Sequence, residues 1–350
     1  MTTENENADA PALRDLILRA GRGERLDAAA AEIAFTEIME GRATPVQVTA
    51  LLVAMRVRGE ASSEIAGGVR AMRRVMVPVP VSPGDDVVDT CGTGGGSVTT
   101  FNISTAAAIV AAAAGVRIAK HGNRSFSSRC GSADVLEALG VRIELSPEHM
   151  GVVLDEAGIV FMFAPLLHPA MRHVGPVRRE LAMPTIMNVL GPLANPAGAQ
   201  RQVVGVADPR LVELIAGALH ELGHVHAIVV HGEPGLDEVS PLGITTGVEV
   251  VQGEMRPLRI DPADYGWNGL DTEHLAGGDP ADNARVIGAI LEGTIGGAAR
   301  AAVVLNAGAA IHVAGRSASF DEAVRMAEAA IDDGGATATL ERLRRASRSF

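Results

Sequence analysis

The chain is poor in aromatic residues and cysteine: its 350 residues include one Trp, one Tyr, seven Phe and two Cys. With so few rings, the core must come from Ala, Val, Leu and Ile, and small side chains favour close packing of helices against a sheet. Cys91 and Cys130 lie far apart and form no CxxC pair. That argues against a disulfide framework or a cysteine zinc site and fits a reducing cytoplasm. Cys91 reads as a small buried thiol rather than a nucleophile. Basic residues are also in deficit, with 30 Lys+Arg against 42 Asp+Glu and a formal charge of −12. Such a balance speaks against broad nucleic-acid binding but leaves room for a small anion in a locally positive pocket. The apolar run AAAIVAAAAG at 106–115 is too short to span a bilayer. The opening MTTENENADA is polar and acidic, unlike a secretory leader. A soluble cytoplasmic protein without a membrane partner is expected.

What is present describes an ordinary globular chain, 47% hydrophobic and 21% charged, long enough for one large domain or two smaller ones. Residues 11–76 read as helices: Asp27 caps one, Thr44-Pro45 begins another, and Ser62 or Ser63 opens the next. VMVPVPVSPGD at 75–85 then reads as an extended linker. Beyond it, short apolar runs at 87–88, 116–119, 141–143, 159–163, 202–206 and 227–230 alternate with helical segments at 103–114, 132–139, 147–157 and 209–222. Strand alternating with helix predicts an α/β architecture with a mostly parallel central sheet covered by helices. Residues 168–190 interrupt that alternation and are expected to pack on the N-terminal helices. Residues 244–260 read as a hairpin turning near Gly253, and the chain is mostly helical from 281 onward. The expected division is a helical domain over 1–78, joined by 168–190, and an α/β domain over the rest of 79–350.

Three loops follow predicted strands, and ligands in such sheets bind beyond the carboxyl ends of the strands. DTCGTGGG at 89–96 is rich in glycine and leads to a helix opening near Ile103, whose free amides favour an anion. KHGNRSFSS at 120–128 supplies Lys120, His121, Asn123, Arg124 and three serines, all donors to phosphate oxygens. HGEPGLDEVS at 231–240 carries Asp237 and Glu238, and two acids beside a polyphosphate call for a bridging cation such as Mg2+. Farther along, HPAMRHVGPVRREL at 168–181 offers Arg172, Arg178 and Arg179, of which Arg178 and Arg179 point to different sides of a helix. An arginine fork matches a carboxylate through two parallel hydrogen bonds. His168 and His173 read as structural or pocket-lining.

GTGGGSVTTFNISTA, KHGNRSFSSRCGSADVLEALG, HPAMRHVGPVRREL, NVLGPLANP, VVHGEPGLDEVS and LNAGAAIHVAG occur in this order over nearly the whole chain. Together they resemble the anthranilate phosphoribosyltransferases of tryptophan biosynthesis. The resemblance implies transfer of 5-phosphoribose from phosphoribosyl pyrophosphate to the anthranilate amine, a helical domain beside a larger α/β domain, and a homodimer. It implies a donor site at Gly92, Gly95, Gly96, Thr100, Asn102, Ile103, Ser104 and Thr105, continued by Lys120, His121, Gly122, Asn123, Arg124, Ser125, Phe126, Ser127, Ser128 and Ser132. Ser104, Asp237 and Glu238 are the implied metal ligands for Mg2+, at two ions per monomer. Gly92, Asn123 and Arg178 are the implied anthranilate site, and Lys120, Asn123 and Arg178 are expected to carry the catalysis.

Two departures from the family pattern stand out. Gly96 occupies a place where the family commonly has an acid, and Pro184 with Met187 stand where Arg and Phe are frequent. The rival readings are a pyrimidine-nucleoside phosphorylase of the same architecture and a non-catalytic relative that binds nucleic acid. A phosphorylase would need no carboxylate clamp, and the net charge disfavours the second.

Overall fold

The computed structural model describes residues 12–82, 86–96, 98–125 and 129–350. It opens with four helices, α1 (Leu13–Gly21), α2 (Ala28–Met39), α3 (Pro45–Arg58) and α4 (Ser62–Val75). Asp27 caps α2 by accepting from Ala30 N at 2.8 Å. Thr44 and Gln47 form a reciprocal capping box on α3 with Pro45 at its first position. The start of α4 differs from expectation. Neither serine caps it; Glu64 Oε2 instead accepts from Ala61 N at 2.9 Å, while its Oε1 accepts from Leu26 N at 2.9 Å and pairs with Arg58. Ser62 and Ser63 turn inward and donate to Leu214 O and Leu26 O at 2.9 and 2.8 Å. A fully buried Glu64 with three donors does the capping better than a hydroxyl that can tie separate elements together.

The α/β part runs β1 (Val88–Gly92), α5 (Ile103–Ala113), β2 (Ile118–Gly122), α6 (Ser132–Ala138), α7 (Pro147–Ala157), β3 (Ile159–Phe163), α8 (Ala164–Leu167), α9 (Met171–Leu181), α10 (Met187–Leu193), β4 (Arg201–Gly205), α11 (Leu211–Glu221) and β5 (His226–Gly232). It ends with β6 (Thr245–Val251), β7 (Glu254–Ile260), α12 (Pro280–Leu291), α13 (Gly297–Val313), α14 (Phe320–Asp332) and α15 (Gly335–Ser347). The seven strands form one sheet in the order β3-β2-β1-β4-β5-β6-β7. The first five are parallel, and β6 and β7 form the expected antiparallel hairpin, turning at Gln252-Gly253 with both residues at positive φ. The fold is therefore the expected α/β class: a small helical bundle followed by a larger, mostly parallel sheet covered by helices.

Alternate residues of β4 and β5 feed two cores, whereas β3 lies wholly in the first. Val203, Ile228 and Val230 face α13, whereas Val204, Ala227, Val229 and Val250 face α11 and share a core with the N-terminal helices. Val174, Val177 and Leu190 of α9 and α10 belong to the second core, packed with Leu16, Phe35 and Leu51. The apolar run 141–143 is not a strand. Val141 and Ile143 are buried as a strand pattern would suggest, but Arg142 N donates to Ser347 Oγ at 3.1 Å rather than to a neighbouring strand. The segment packs under α15, and β3 is the edge of the sheet. The stretch read as a linker is pinned as well: Val77 N donates to Leu167 O at 2.8 Å and Val79 N to Pro196 O at 3.0 Å. Among the described residues no helix is long and apolar enough to cross a membrane.

Candidate active site

The strand order reverses between β1 and β4, which is where an open parallel sheet leaves a crevice at the carboxyl ends of its strands. Gly92 and Gly205 end these strands side by side, and Asp237 lies directly over both. A Cβ on Gly205 would stand 1.7 Å from Asp237 O, and one on Gly92 would stand 2.6 Å from Asp237 Oδ2. Glycine is required here because the acidic loop rests on the strand ends. Gly94 and Gly95 then take positive φ, +69° and +84°, and Gly94 N donates to Asp237 Oδ2 at 2.8 Å. Two loops separated by 143 residues are thus joined by one hydrogen bond.

Glu238 is held at the start of α5, where Ser104 N donates to its Oε1 at 3.2 Å and Ser104 Oγ donates to the same oxygen. Burial, reinforced by the neighbouring Asp237 charge, pushes the Glu238 carboxyl up to about 7. Burial also raises Asp237. Two adjacent desolvated carboxylates resist ionising together, and a divalent cation is the natural relief. The oxygen donors Ser104 Oγ, Asp237 and Glu238 suit magnesium, which prefers hard oxygen ligands. Asn306 on α13 fixes the next residue: its Oδ1 accepts from Val239 N at 2.9 Å and its Nδ2 donates to Val239 O at 2.8 Å.

Lys120 is the only lysine in the chain. It ends up buried on β2 with Nζ donating to Thr90 O, the carbonyl of the neighbouring strand β1. Burial lowers its pKa, while the Asp89 and Glu238 charges pull it back up. Asp89 is fully buried and accepts from His121 N at 3.1 Å and from Asn195 Nδ2 at 2.8 Å. Burial dominates and pushes Asp89 up to about 6 despite Lys120 and these donors. His121 Nε2 meets His168 Nε2 at 3.1 Å, and burial lowers them to about 3 and about 4, so both rings are neutral at pH 7. This contact pins the chain just before α9 to the end of β2. Cys91 is the packing thiol expected of it, tucked against Pro192 O and Val203 O, and burial pushes its pKa well up.

The remaining expected residues divide. Ser132 Oγ donates to Asn123 O at 3.3 Å, Thr105 is buried, Ile103 is buried in the core at the first turn of α5, and Thr100 bridges to Ala276. Asn102 uses its side chain within the protein, donating to Cys130 O at 3.1 Å and accepting from Asn283 Nδ2 at 2.9 Å. Arg124 is engaged by Asp134 at 2.9 Å and by Glu137, and Ser125 N donates to Asp134 Oδ2 at 3.2 Å, so this part of the loop is tied to α6. Phe126, Ser127 and Ser128 lie outside the described residues. Arg178 is half-buried on α9, and its guanidinium has no hydrogen bond or ion pair among the described residues. Burial alone lowers its pKa. Arg179 is exposed, as the helical spacing requires.

Residues 14–76 match a glycosyl transferase family model for the helical bundle domain, and residues 84–337 match that family's a/b domain. The anthranilate phosphoribosyltransferase of Rubrobacter xylanophilus is 53% identical over 336 residues, covering 96% of this chain and 98% of that protein. The crystal structure of the enzyme of that name from Thermus thermophilus superposes with a TM-score of 0.90 at 44% identity, over 96% of this chain and all of the other. The Saccharomyces cerevisiae enzyme in complex with PRPP and Mg superposes at 0.85 with 26% identity over 97% of this chain and 98% of that one, and its 4-fluoroanthranilate complex superposes at 0.84. With its two domains, its strand-end acids and these likenesses along nearly its whole length, the chain belongs to the anthranilate phosphoribosyltransferase family.

Proposed function

We propose that this protein transfers 5-phosphoribose from phosphoribosyl pyrophosphate to the amine of anthranilate, releasing pyrophosphate. The observation that carries the reading is the Asp237–Glu238 pair, desolvated at the switch point of the sheet and joined to the glycine loop and α5. Magnesium held by Ser104, Asp237 and Glu238, at two ions per monomer, would neutralise the charge of the pyrophosphate. The chain's own residues bind and orient. Lys120 adds a buried positive charge beside β1, and Gly92, Gly95, Gly96, Thr100, Asn102 and Thr105 line the donor cradle with amides and hydroxyls. Asn123, Gly92 and Arg178 form the anthranilate site, with the Arg178 fork on the carboxylate.

An aromatic amine is neutral at pH 7, so it needs no base before it attacks. Its nitrogen lone pair forms the bond to the anomeric carbon from the face opposite pyrophosphate. The carbon–oxygen bond breaks with its electron pair leaving on pyrophosphate, and the amine proton is lost to solvent afterwards. Catalysis is then positioning plus electrostatic stabilisation of the leaving group. The neutral His121–His168 pair suits this scheme, because it takes no part in proton transfer where β2 meets the segment leading into α9. The test is product identity. Anthranilate, donor and Mg2+ should yield N-(5-phosphoribosyl)anthranilate by mass spectrometry, and uridine with inorganic phosphate should yield no ribose 1-phosphate. The reverse outcome would make the protein a nucleoside phosphorylase.

Gly96 makes a separate prediction. A Cβ there would lie 3.5 Å from Asp237 Oδ1 and 3.0 Å from Gly235 O, so the side chain would point at the acidic pair. Two like charges ~4 Å apart repel by about 1 kcal/mol in water and about 4 kcal/mol at an effective dielectric of 20. Gly96→Asp should therefore steepen the magnesium dependence of donor affinity and leave the anthranilate KM within about twofold, since that contact lies elsewhere. Superimposable magnesium titrations of variant and parent would show that position 96 does not sense the metal.

The domain boundaries belong to the same reading: a helical domain to about residue 78 that takes in 168–190, with the α/β domain formed by the rest of 79–350. The helical domain carries an uncovered apolar stripe. Val46 and Val57 are 78% and 80% exposed, and with Ala50 and Val53 they line one side of α3. Spacings of four, three and four residues repeat on one helical face. A homodimer that pairs these stripes is proposed. Sedimentation should give a dimer for the parent chain and a monomer for Val46→Asp with Val57→Asp; a dimer in both places the contact on another surface.

A further inference from the structure

A second polar cluster lies at the opposite end of β5 from the candidate active site. His226 opens β5, Glu249 sits on β6 opposite Ile228, and His312 occupies the last turn of α13. The register places His226 and Glu249 on the sheet face that turns toward α13, the same face as Ile228. Glu249 Oε1 is 2.8 Å from His226 Nε2 and 2.9 Å from His312 Nε2, and one ligand atom from each residue lies within 4.8 Å of the others. His226 is buried and the other two are half-buried. His226 and Gly232 at the catalytic end are the first and last of the seven residues of β5, about 20 Å apart at ~3.3 Å per residue step. The catalytic scheme uses none of the three.

We propose that His226 Nε2, Glu249 and His312 Nε2 form a binding site for a divalent transition cation of the zinc type, which staples the β5–β6 hairpin to α13. Two imidazoles and one carboxylate are a donor set that zinc accepts and magnesium does not favour. With metal–ligand bonds of about 2.0–2.1 Å, a tetrahedral centre holds its ligand atoms about 3.3 Å apart. The nitrogen–oxygen pairs must therefore open by roughly 0.5 Å, within the reach of small side-chain rotations.

Coordination also needs the Nε2 lone pair, so each imidazole must carry its proton on Nδ1. His312 Nδ1 is buried and has no hydrogen-bond partner among the described residues, so that ring is held in its present tautomer only through Nε2, by the Glu249 contact that the metal would replace. The end of α13 adds the negative pole of the helix, which favours a cation. The surrounding charges leave the site acceptable to one. Arg256 on β7 interacts with Glu249 but is bonded to Glu254 at 2.6 Å, and Arg201 is taken up by Asp86 at 3.0 Å and Val313 O at 2.8 Å. The Phe320 ring, 5.8 Å from His312, closes the apolar side.

The test uses the untagged, metal-free full chain titrated with Co(II). One equivalent should produce the visible absorption of a tetrahedral centre, which a carboxylate-rich magnesium site does not give. Zn2+ should displace the colour and raise Tm. His312→Gln should weaken binding at least ~tenfold, while its magnesium-dependent turnover stays within about twofold of the parent. Glu249→Gln should weaken binding by a similar factor. A colourless wild-type titration, or a band that persists unchanged in His312→Gln, overturns the assignment.

Discussion

Replacing Asp237 and Glu238 together by alanine should lower magnesium-dependent turnover by about 10³-fold or more, the scale seen when a preorganised electrostatic group is lost at a reacting centre. The fold should survive. Both side chains lie on a loop between β5 and β6, and their packing contribution is small beside the two cores. In magnesium-free buffer the variant should be at least as stable as the parent, because burial makes the ionised pair costly. The sign follows from the raised carboxyls. In the folded chain burial, with the Asp237 charge beside it, pushes the Glu238 carboxyl from its ordinary 4.5 up to about 7. Between those values the folded state holds more protons than the unfolded one, so stability falls as pH rises through this window. The parent's metal-free Tm should therefore drop from pH 5 to pH 8 more than the variant's does. Magnesium should restore it mainly at the upper end, where the pair is ionised. Wild-type turnover in the double variant, or equal pH slopes for the two proteins, would remove the pair from the metal site.

Arg178→Ala should raise the anthranilate KM by ~10²-fold or more and change the donor KM by less than about threefold. A hydrogen bond to a charged group contributes about 1.5–3 kcal/mol, and the fork makes two of them, while each 1.4 kcal/mol is a factor of ten in affinity. The structure supplies the reason for choosing this arginine. Arg124 is already bonded to Asp134 and Glu137, whereas the half-buried Arg178 has no anion among the described residues. Arg178→Lys should recover only part of the loss, because an ammonium cannot present a planar pair of donors. The KM values of both variants for both substrates settle the matter. An unchanged anthranilate KM in Arg178→Ala would take the residue out of the acceptor site.

Much of this fold can be read from the chain because parallel strands buried on both faces appear as short apolar runs, and the N-terminal helices begin with caps such as Asp27 and Thr44. The run at 141–143 misleads for the same reason. Val141 and Ile143 are buried on either side of Arg142, which is a strand pattern, yet what they pack under is a helix some 200 residues later, with Arg142 and Ser347 separated by 205 positions. The candidate site divides in a similar way. Its loops are visible because glycine, basic and acidic residues cluster just after strands. The polar groups beneath them are not. Asp89 is the second residue of β1, and its partner Asn195 lies 106 positions away. Asn306 reads as one polar residue in an apolar helix until its amide is seen clamping Val239. The raised Glu238 carboxyl is likewise a consequence of burial, which no local pattern reveals.

The most direct measurement is the decay of anthranilate fluorescence in a mixture from which one component at a time is omitted. The account predicts decay only when protein, phosphoribosyl pyrophosphate and Mg2+ are all present, with one pyrophosphate released per anthranilate consumed. Decay that continues at full rate after Mg2+ is chelated, or no decay in the complete mixture, would contradict it.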